Sequence, residues 1–316
     1  MREIGGYFEL EQLAGRPYYA GLAALNSARS ALLFILRARQ AEKLWLPYFL
    51  CSSVEEMCRK EGFAVGFYHI GPDFLPIFRE DALNAREYLY AVNYYGQVGP
   101  DKAAALQTRY GRLIFDNVQA FFQHPLPGMD TVYSCRKFFG VPDGGYAATD
   151  APTSELPERD LSMGRMRHLL GRYEGAQAWD YYADFKASDR SFAGTGLRAM
   201  SALSENLLCA VDYETVRRRR NENYAVLKAL LGEKNPLKLT APDGAYAYPF
   251  YCRNGMAVKK RLAEKKIFVA TLWPNVLENG DGLEKDYAEN ILPLPCDQRY
   301  GREDMERIAA ELLCLI

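Results

Sequence analysis

The first half of the chain alternates between helical and strand patterns, and this alternation restricts the fold more than any other feature. Residues 27–41 carry apolar side chains at helical spacing after a serine that can cap a helix, and the apolar run KLWLP follows at 43–47. The alternation then continues with helices predicted over 53–62 and 101–111 and strands over 63–70, 88–95, 112–116, 131–134 and 144–150. Strand, helix, strand in this order predicts an α/β fold with a mostly parallel sheet that helices cover on both faces.

The pattern changes after residue 150. A polar loop with prolines leads to residues 161–190, which are helical but irregular, and one long helix is predicted over 201–231. From about residue 236 the order is strand, helix, strand, helix, in the segments GAYAYPFYC, GMAVKKRLAEKK, IFVATLW and REDMERIAAELL. We therefore predict a large domain over residues 1–230 and a smaller C-terminal α/β domain over 231–316.

The charge balance restricts the partners. The chain of 316 residues has 39 Lys and Arg against 40 Asp and Glu, a net charge of -1, which argues against nucleic acid or an anionic membrane as a partner. The four arginines at 217–220 lie in a predicted helix and point in different directions, so we interpret them as a solvated or interface surface. We expect no membrane span, and the opening residues lack the apolar core of a signal peptide, so we expect a cytoplasmic protein.

Cysteine and histidine usage gives no sign of a metal centre. The seven cysteines are scattered without a CxxC pair, and the three histidines lie far apart in sequence. We expect reduced thiols, no disulfide framework and no bound metal.

Two polar residues lie just after predicted strands. Asp116 follows the apolar run RLIF directly, and Lys137 lies in a turn just after the strand predicted over 131–134. Ligands of parallel sheets bind at the carboxyl ends of the strands, so both residues are candidates for a site. On these two residues alone a structural ion pair remains the simpler interpretation.

Segments along nearly the whole chain, in their order and spacing, resemble the DegT/DnrJ sugar aminotransferases, a family of fold-type-I enzymes that use pyridoxal 5'-phosphate. ALNSARSALLFIL is similar to the phosphate-binding helix start of that family, and FDNVQAFF and SCRKFFGVPDGGY are similar to the segments that hold its cofactor. The resemblance implies a large domain with a mostly parallel sheet of the seven-stranded type between helices. It also implies a homodimer.

The resemblance implies specific roles at three residues. Lys137 corresponds to the lysine that binds the cofactor aldehyde covalently and afterwards moves a proton. Asp116 corresponds to the carboxylate that pairs with the ring nitrogen, and Gln119 to the neighbour of the ring hydroxyl or of the substrate.

The phosphate site implied by the resemblance consists of the backbone at Ala28, the side chain of Arg29 and the hydroxyl of Ser134. This sequence departs from the family here. Ala28 and Arg29 stand where the family has Gly-Thr, and Val132 stands where it has a serine five residues before the lysine.

The aromatic face of the ring and the substrate contacts are less well defined by the resemblance. Cys51 aligns near the usual aromatic position and is a candidate cofactor contact, so the aromatic face is assigned to Phe49, Tyr48 or Tyr95. Core packing is the competing interpretation of these aromatics. Candidate substrate contacts are Asn93, where the family has histidine, together with Tyr95 and Arg198, for which a salt bridge is the alternative.

The expected activity is transfer of an amino group from an amino acid, with glutamate as the expected donor, to a keto-sugar. The resemblance implies a nucleotide-linked sugar and a place in polysaccharide or amino-sugar biosynthesis. Two alternatives stay open: a sugar dehydratase or lyase that uses the same cofactor, and a binding protein that has the fold without turnover. Family members are usually longer than 316 residues, which implies that acceptor-binding loops have been lost.

Overall fold

The structure is a computed structural model that describes residues 4–79, 83–153 and 155–316. The elements of the first half are β1 (Ala23–Leu25), α1 (Ala28–Ala38), β2 (Lys43–Pro47), α2 (Ser52–Lys60), β3 (Ala64–Ile70), β4 (Pro76–Ile77), β5 (Glu87–Val92), α3 (Pro100–Tyr110), β6 (Leu113–Asp116), β7 (Asp130–Ser134) and β8 (Gly145–Ala148). The second half contains α4 (Arg167–Tyr173), α5 (Tyr182–Ser191), α6 (Ala202–Cys209), α7 (Tyr213–Leu231), β9 (Ala247–Tyr251), α8 (Gly255–Glu264), α9 (Pro274–Asn279), α10 (Gly282–Asn290), β10 (Ile291–Pro295) and α11 (Arg302–Leu313).

Eight strands form one sheet in the order β1-β8-β7-β6-β5-β2-β3-β4. The five strands from β7 to β3 are parallel, whereas β8 is antiparallel to both of its neighbours and the two-residue β4 is antiparallel to β3. The predicted mostly parallel α/β sheet is therefore confirmed. Because the parallel strands share one direction, the residues that follow β2, β5, β6 and β7 all lie along the same edge.

Helix α1 begins where the sequence predicts. Ser27 is its N-cap, and the Ser27 hydroxyl accepts a hydrogen bond from the Ser30 N–H at 3.1 Å. The helix packs its apolar residues against β7 and β8. Gly145 of β8 allows this contact, because a Cβ at that position would lie 2.6 Å from the Ser27 carbonyl carbon.

The single helix predicted over 201–231 is wrong, since α6 and α7 are separate helices. Ser201 caps α6 by accepting a hydrogen bond from the Ser204 N–H. Asp212 caps α7 in the same way, accepting from the Thr215 N–H at 3.0 Å. Two capping residues within twelve positions favour two helices over one.

The strand predicted over 267–273 is also wrong. The partner of β9 is β10, which pairs with it antiparallel from Ile291 to Pro295. Lys266 and Trp273 bound the predicted segment with φ of 60° and 53°, values that do not continue a strand. Ile267 packs on the core of the small sheet, whereas Trp273 packs on the core of the large sheet, so the segment connects two cores.

The larger core lies between the eight-stranded sheet and its helices, and a second core lies between β9, β10, α7, α8 and α11. Trp273, Val276 and Tyr287 come from the C-terminal part but pack on the larger core. The predicted boundary between residues 230 and 231 falls at the end of α7 and stays a prediction. Among the described residues, no helix combines the length and hydropathy needed to span a bilayer.

Candidate active site

A cavity of about 240 Å³ opens at the edge of the sheet where the parallel strands end. Among the segments that line it are three that are distant in sequence: the start of α1, the end of β6 with the turn after it, and the end of β7 with the turn after it. Their contributions are Ala28, Arg29, Asp116, Gln119, Ser134, Arg136 and Lys137. The cavity therefore brings together most of the residues that the sequence resemblance singled out.

Asp116 lies deep in this cavity, with 2% of its surface exposed. The Tyr90 hydroxyl donates a hydrogen bond to one carboxylate oxygen at 2.7 Å, and the Val118 N–H donates to the other at 2.8 Å. Burial raises the pKa of Asp116 above its usual value, despite these two hydrogen bonds and the nearby Lys137 ammonium, which act in the opposite direction. The carboxyl group is thus fixed by two hydrogen bonds, and the positive charge near it does not offset the effect of burial on its charged form.

Lys137 lies in the turn after β7 and is half-buried. Its ammonium lies 5.3 Å from the centroid of the Tyr246 ring. Within the described part of the chain the amine has no hydrogen bond and no ion pair, so it is available to react with a ligand.

Gln119 holds an unused hydrogen-bond donor. Its side-chain oxygen accepts a hydrogen bond from the Tyr95 N–H at 2.7 Å, which fixes the amide. The amide nitrogen is buried without a partner among the described residues. Because an unpaired buried donor is costly, a ligand acceptor at this position would be stabilising. Together we call Asp116, Tyr90 and Gln119 the inner wall of the cavity.

The start of α1 gives the cavity an anion-binding end. The backbone N–H groups of Ala28 and Arg29 are in the first turn, where no partner within the helix exists, and the helix dipole adds positive potential. The Arg29 guanidinium and the Ser134 hydroxyl line the same cavity. This arrangement suits a phosphate group.

The solvent side of the cavity carries further charges. Arg136 precedes Lys137, and its guanidinium lies 3.3 Å from a carboxylate oxygen of Asp189 on α5. Arg136 and Asp189 form what we call the outer wall. Trp273 also lines the cavity, reaching it from the C-terminal part of the chain.

Sequence reasoning missed Tyr90, Arg136, Asp189 and Trp273 as site residues. Arg136 could have been found, since it adjoins Lys137 and is a cation near a candidate phosphate site. Trp273 ends the apolar segment that was predicted to be a strand, and Pro274, which would terminate such a strand, instead begins α9. Nothing in the sequence near Tyr90 or Asp189 signals a contact with the site.

Cys51 lines the cavity, whereas several other predicted residues do not. Phe49 is buried behind it, 4.3 Å from the Trp273 ring. Tyr48 is exposed and stacks on Phe67.

The candidate substrate residues lie away from the cavity wall. Asn93 is buried, and its amide donates hydrogen bonds to Asn117 and Gln123. Tyr95 is buried with φ of 53°. Arg198 forms an ion pair with Glu158. These contacts fit the structural interpretations that the sequence left open, and a substrate role for these three residues stays a prediction.

No protein-family model matches the sequence, and no curated protein matches it either. Solved structures do match. An aminotransferase from Brucella abortus described as DegT DnrJ EryC1 StrS shares 16% identity, with 94% of this chain and 87% of that chain covered and a TM-score of 0.61. The putative sugar aminotransferase Spr1654 from Streptococcus pneumoniae, in its PLP-form, shares 15% identity over 92% of this chain and 85% of that chain, with a TM-score of 0.64.

A third similar structure is DesI, determined in the presence of its TDP-sugar product, with 17% identity over 92% of this chain and 80% of that chain and a TM-score of 0.62. All three likenesses extend over nearly the whole chain. The chain therefore has the fold of these aminotransferase structures, as the resemblance of its sequence segments predicted.

Proposed function

We propose that this protein is a pyridoxal-phosphate-dependent aminotransferase that moves an amino group from an amino acid, with glutamate as the expected donor, to a nucleotide-linked keto-sugar. The observation that carries the proposal is the meeting of Lys137, Asp116 and the start of α1 in one cavity. Spr1654, named a putative sugar aminotransferase and solved in a PLP-form, and DesI, solved with a TDP-sugar product, support it. We further propose a cytoplasmic homodimer, on the resemblance alone.

The unsatisfied groups of the cavity fit this cofactor. Asp116 is a buried carboxyl group whose raised pKa marks a shortage of nearby positive charge, which a protonated ring nitrogen would supply. The free amide N–H of Gln119 suits the ring hydroxyl. The first turn of α1, with Arg29 and Ser134, suits the phosphate.

Each residue then has a chemical task. When bound, the cofactor supplies an electron-withdrawing ring next to the carbon that carries the amino group. With the cofactor bound, the Lys137 Nζ would act first as the base that accepts the proton from that carbon and then as the acid that delivers it to the cofactor. Asp116 holds the positive charge at the ring nitrogen, and the start of α1 fixes the orientation by holding the phosphate.

The test uses the purified protein incubated with pyridoxal phosphate. The wild type should develop a visible absorption band that borohydride removes, and glutamate should bleach it. Lys137→Ala should show no band, whereas Lys260→Ala, which alters an exposed lysine on α8, should behave like the wild type.

Two outcomes would overturn the proposal. A wild-type protein that forms no band does not use the cofactor in this way. A band that no amino acid bleaches contradicts aminotransfer and favours the alternative of a binding protein without turnover.

A further inference from the structure

Arg136 carries a positive charge that its surroundings neutralise only in part. Its side chain is only 19% exposed and lines the cavity directly beside Lys137. The Phe192 ring covers the guanidinium, with 4.6 Å between the guanidinium carbon and the ring centroid. Burial lowers the pKa of Arg136 below its usual value, and the neighbouring cations Arg29 and Arg165 act in the same direction. A buried guanidinium in this position would gain from a further anionic partner.

The carboxylate that contacts Arg136 is held weakly. Asp189 lies on α5 with its side chain 59% exposed, and its oxygen is 3.3 Å from the guanidinium. An ion pair with one exposed partner adds little stability, because water screens that partner and because both side chains lose freedom. Arg165, by contrast, makes a closer bond of 2.9 Å to Asp160, whose side chain is only 11% exposed. Arg136 is thus paired with a group that a competing anion can displace.

The proposed function, on which this inference rests, assigns the other cationic parts of the cavity to the cofactor phosphate. The first turn of α1, Arg29 and Ser134 are sufficient for the cofactor phosphate. Arg136 remains, one residue from the reactive amine. Its fork of N–H donors matches a carboxylate, and a carboxylate from Asp189 stands there already.

We propose that Arg136 binds the carboxylate of the amino donor, and that the Asp189 carboxylate pairs with the Arg136 guanidinium until the donor displaces it. Asp189 is then an internal competitor that carries the same chemical group as the donor. Binding at Arg136 would hold the amino group of the donor near Lys137, because both side chains line the same cavity.

The experiment measures, on protein loaded with pyridoxal phosphate, the glutamate concentration that bleaches half of the visible band. Arg136→Gln should raise this concentration about 10- to 100-fold, since it removes charge-assisted hydrogen bonds, and Arg136→Lys should raise it less. Asp189→Asn should lower it a few-fold because the competitor is gone. If glutamate does not bleach the band, the other common amino acids serve as probes, because they carry the same carboxylate.

Matched controls come from the same helix. Arg190→Gln and Asp184→Asn alter an exposed arginine of α5 and a carboxylate that pairs with Arg167, so both should leave the half-bleaching concentration unchanged. Opposite effects of Arg136→Gln and Asp189→Asn support the inference. A merely structural ion pair would shift both variants in the same direction, together with their melting temperatures, and that result would overturn it.

A further arm separates the donor from the acceptor. Uridine diphosphate serves as a probe for the phosphates of a nucleotide-linked sugar. If Arg136→Gln abolishes inhibition by this probe but leaves the glutamate response intact, Arg136 binds the acceptor and the inference is wrong. Failure of the proposed function looks different, because the wild type itself would then form no band.

Discussion

The two walls of the cavity differ in how firmly their charged groups are held. On the inner wall, Asp116 is 2% exposed and accepts hydrogen bonds from the Tyr90 hydroxyl and the Val118 N–H. On the outer wall, Arg136 has one carboxylate partner, Asp189, whose side chain is 59% exposed.

The difference corresponds to what each wall would bind. Groups on strand ends in the middle of a sheet are fixed by backbone hydrogen bonds on both sides, and they suit a cofactor that stays in place. The outer wall depends on α5, a helix with one buried residue, and it suits substrates that enter and leave. The comparison predicts that inner-wall changes alter the binding and the reactivity of the cofactor, whereas outer-wall changes alter the affinity for substrates.

Replacement of Asp116 should have the largest effect. In Asp116→Asn the ring nitrogen loses its negative partner, so the rate at which glutamate bleaches the band should fall about 10²- to 10³-fold, a size typical of lost electrostatic stabilisation. Stopped-flow absorbance measures this rate. Asp101→Asn, at an exposed position of α3, is the control, and an unchanged rate in Asp116→Asn would mean that the inner wall does not serve the cofactor ring.

Replacement of Arg29 should affect affinity more than rate. Arg29→Gln removes a cation from the phosphate end, so binding of pyridoxal phosphate should weaken about 10- to 100-fold. Binding of pyridoxal, which lacks the phosphate, should not change. Fluorescence titration measures both, with Arg37→Gln at the far end of α1 as the control, and equal losses for the two ligands would contradict the assignment.

Loss of the Tyr90 hydroxyl should have the smallest effect. Tyr90→Phe removes one of the two hydrogen bonds to Asp116 and leaves the ring in the core, so cofactor binding should weaken about tenfold or less. Equilibrium titration compares this variant with Tyr88→Phe, which alters a neighbouring tyrosine of β5. A weakening of cofactor binding far beyond tenfold would show that the Asp116 carboxylate cannot be positioned without the Tyr90 hydroxyl.

The sequence predicted the residues assigned to the cofactor better than the outer wall, for a physical reason. Asp116 and Lys137 follow strands whose apolar runs are local patterns, and α1 starts at a serine cap that is visible in the sequence. Strand order and direction then bring the three segments to one edge, as the resemblance implied.

The outer wall depends on tertiary packing, which local patterns do not encode. Asp189 reaches Arg136 across a sequence separation of 53 residues, through an irregular helical segment. Trp273 lines the cavity, although the apolar composition of its segment predicted a strand. That prediction is wrong because Lys266 and Trp273 have positive φ, which the sequence does not reveal. The resemblance located the cofactor residues but gave no equivalent for these contacts.

The most direct measurement locates the bound cofactor on the chain. Wild-type protein is incubated with pyridoxal phosphate, reduced with borohydride, digested and analysed by mass spectrometry. The account predicts one modified peptide, with the added mass on Lys137. A modification on a different lysine, or an unmodified Lys137 after complete reduction, would contradict it.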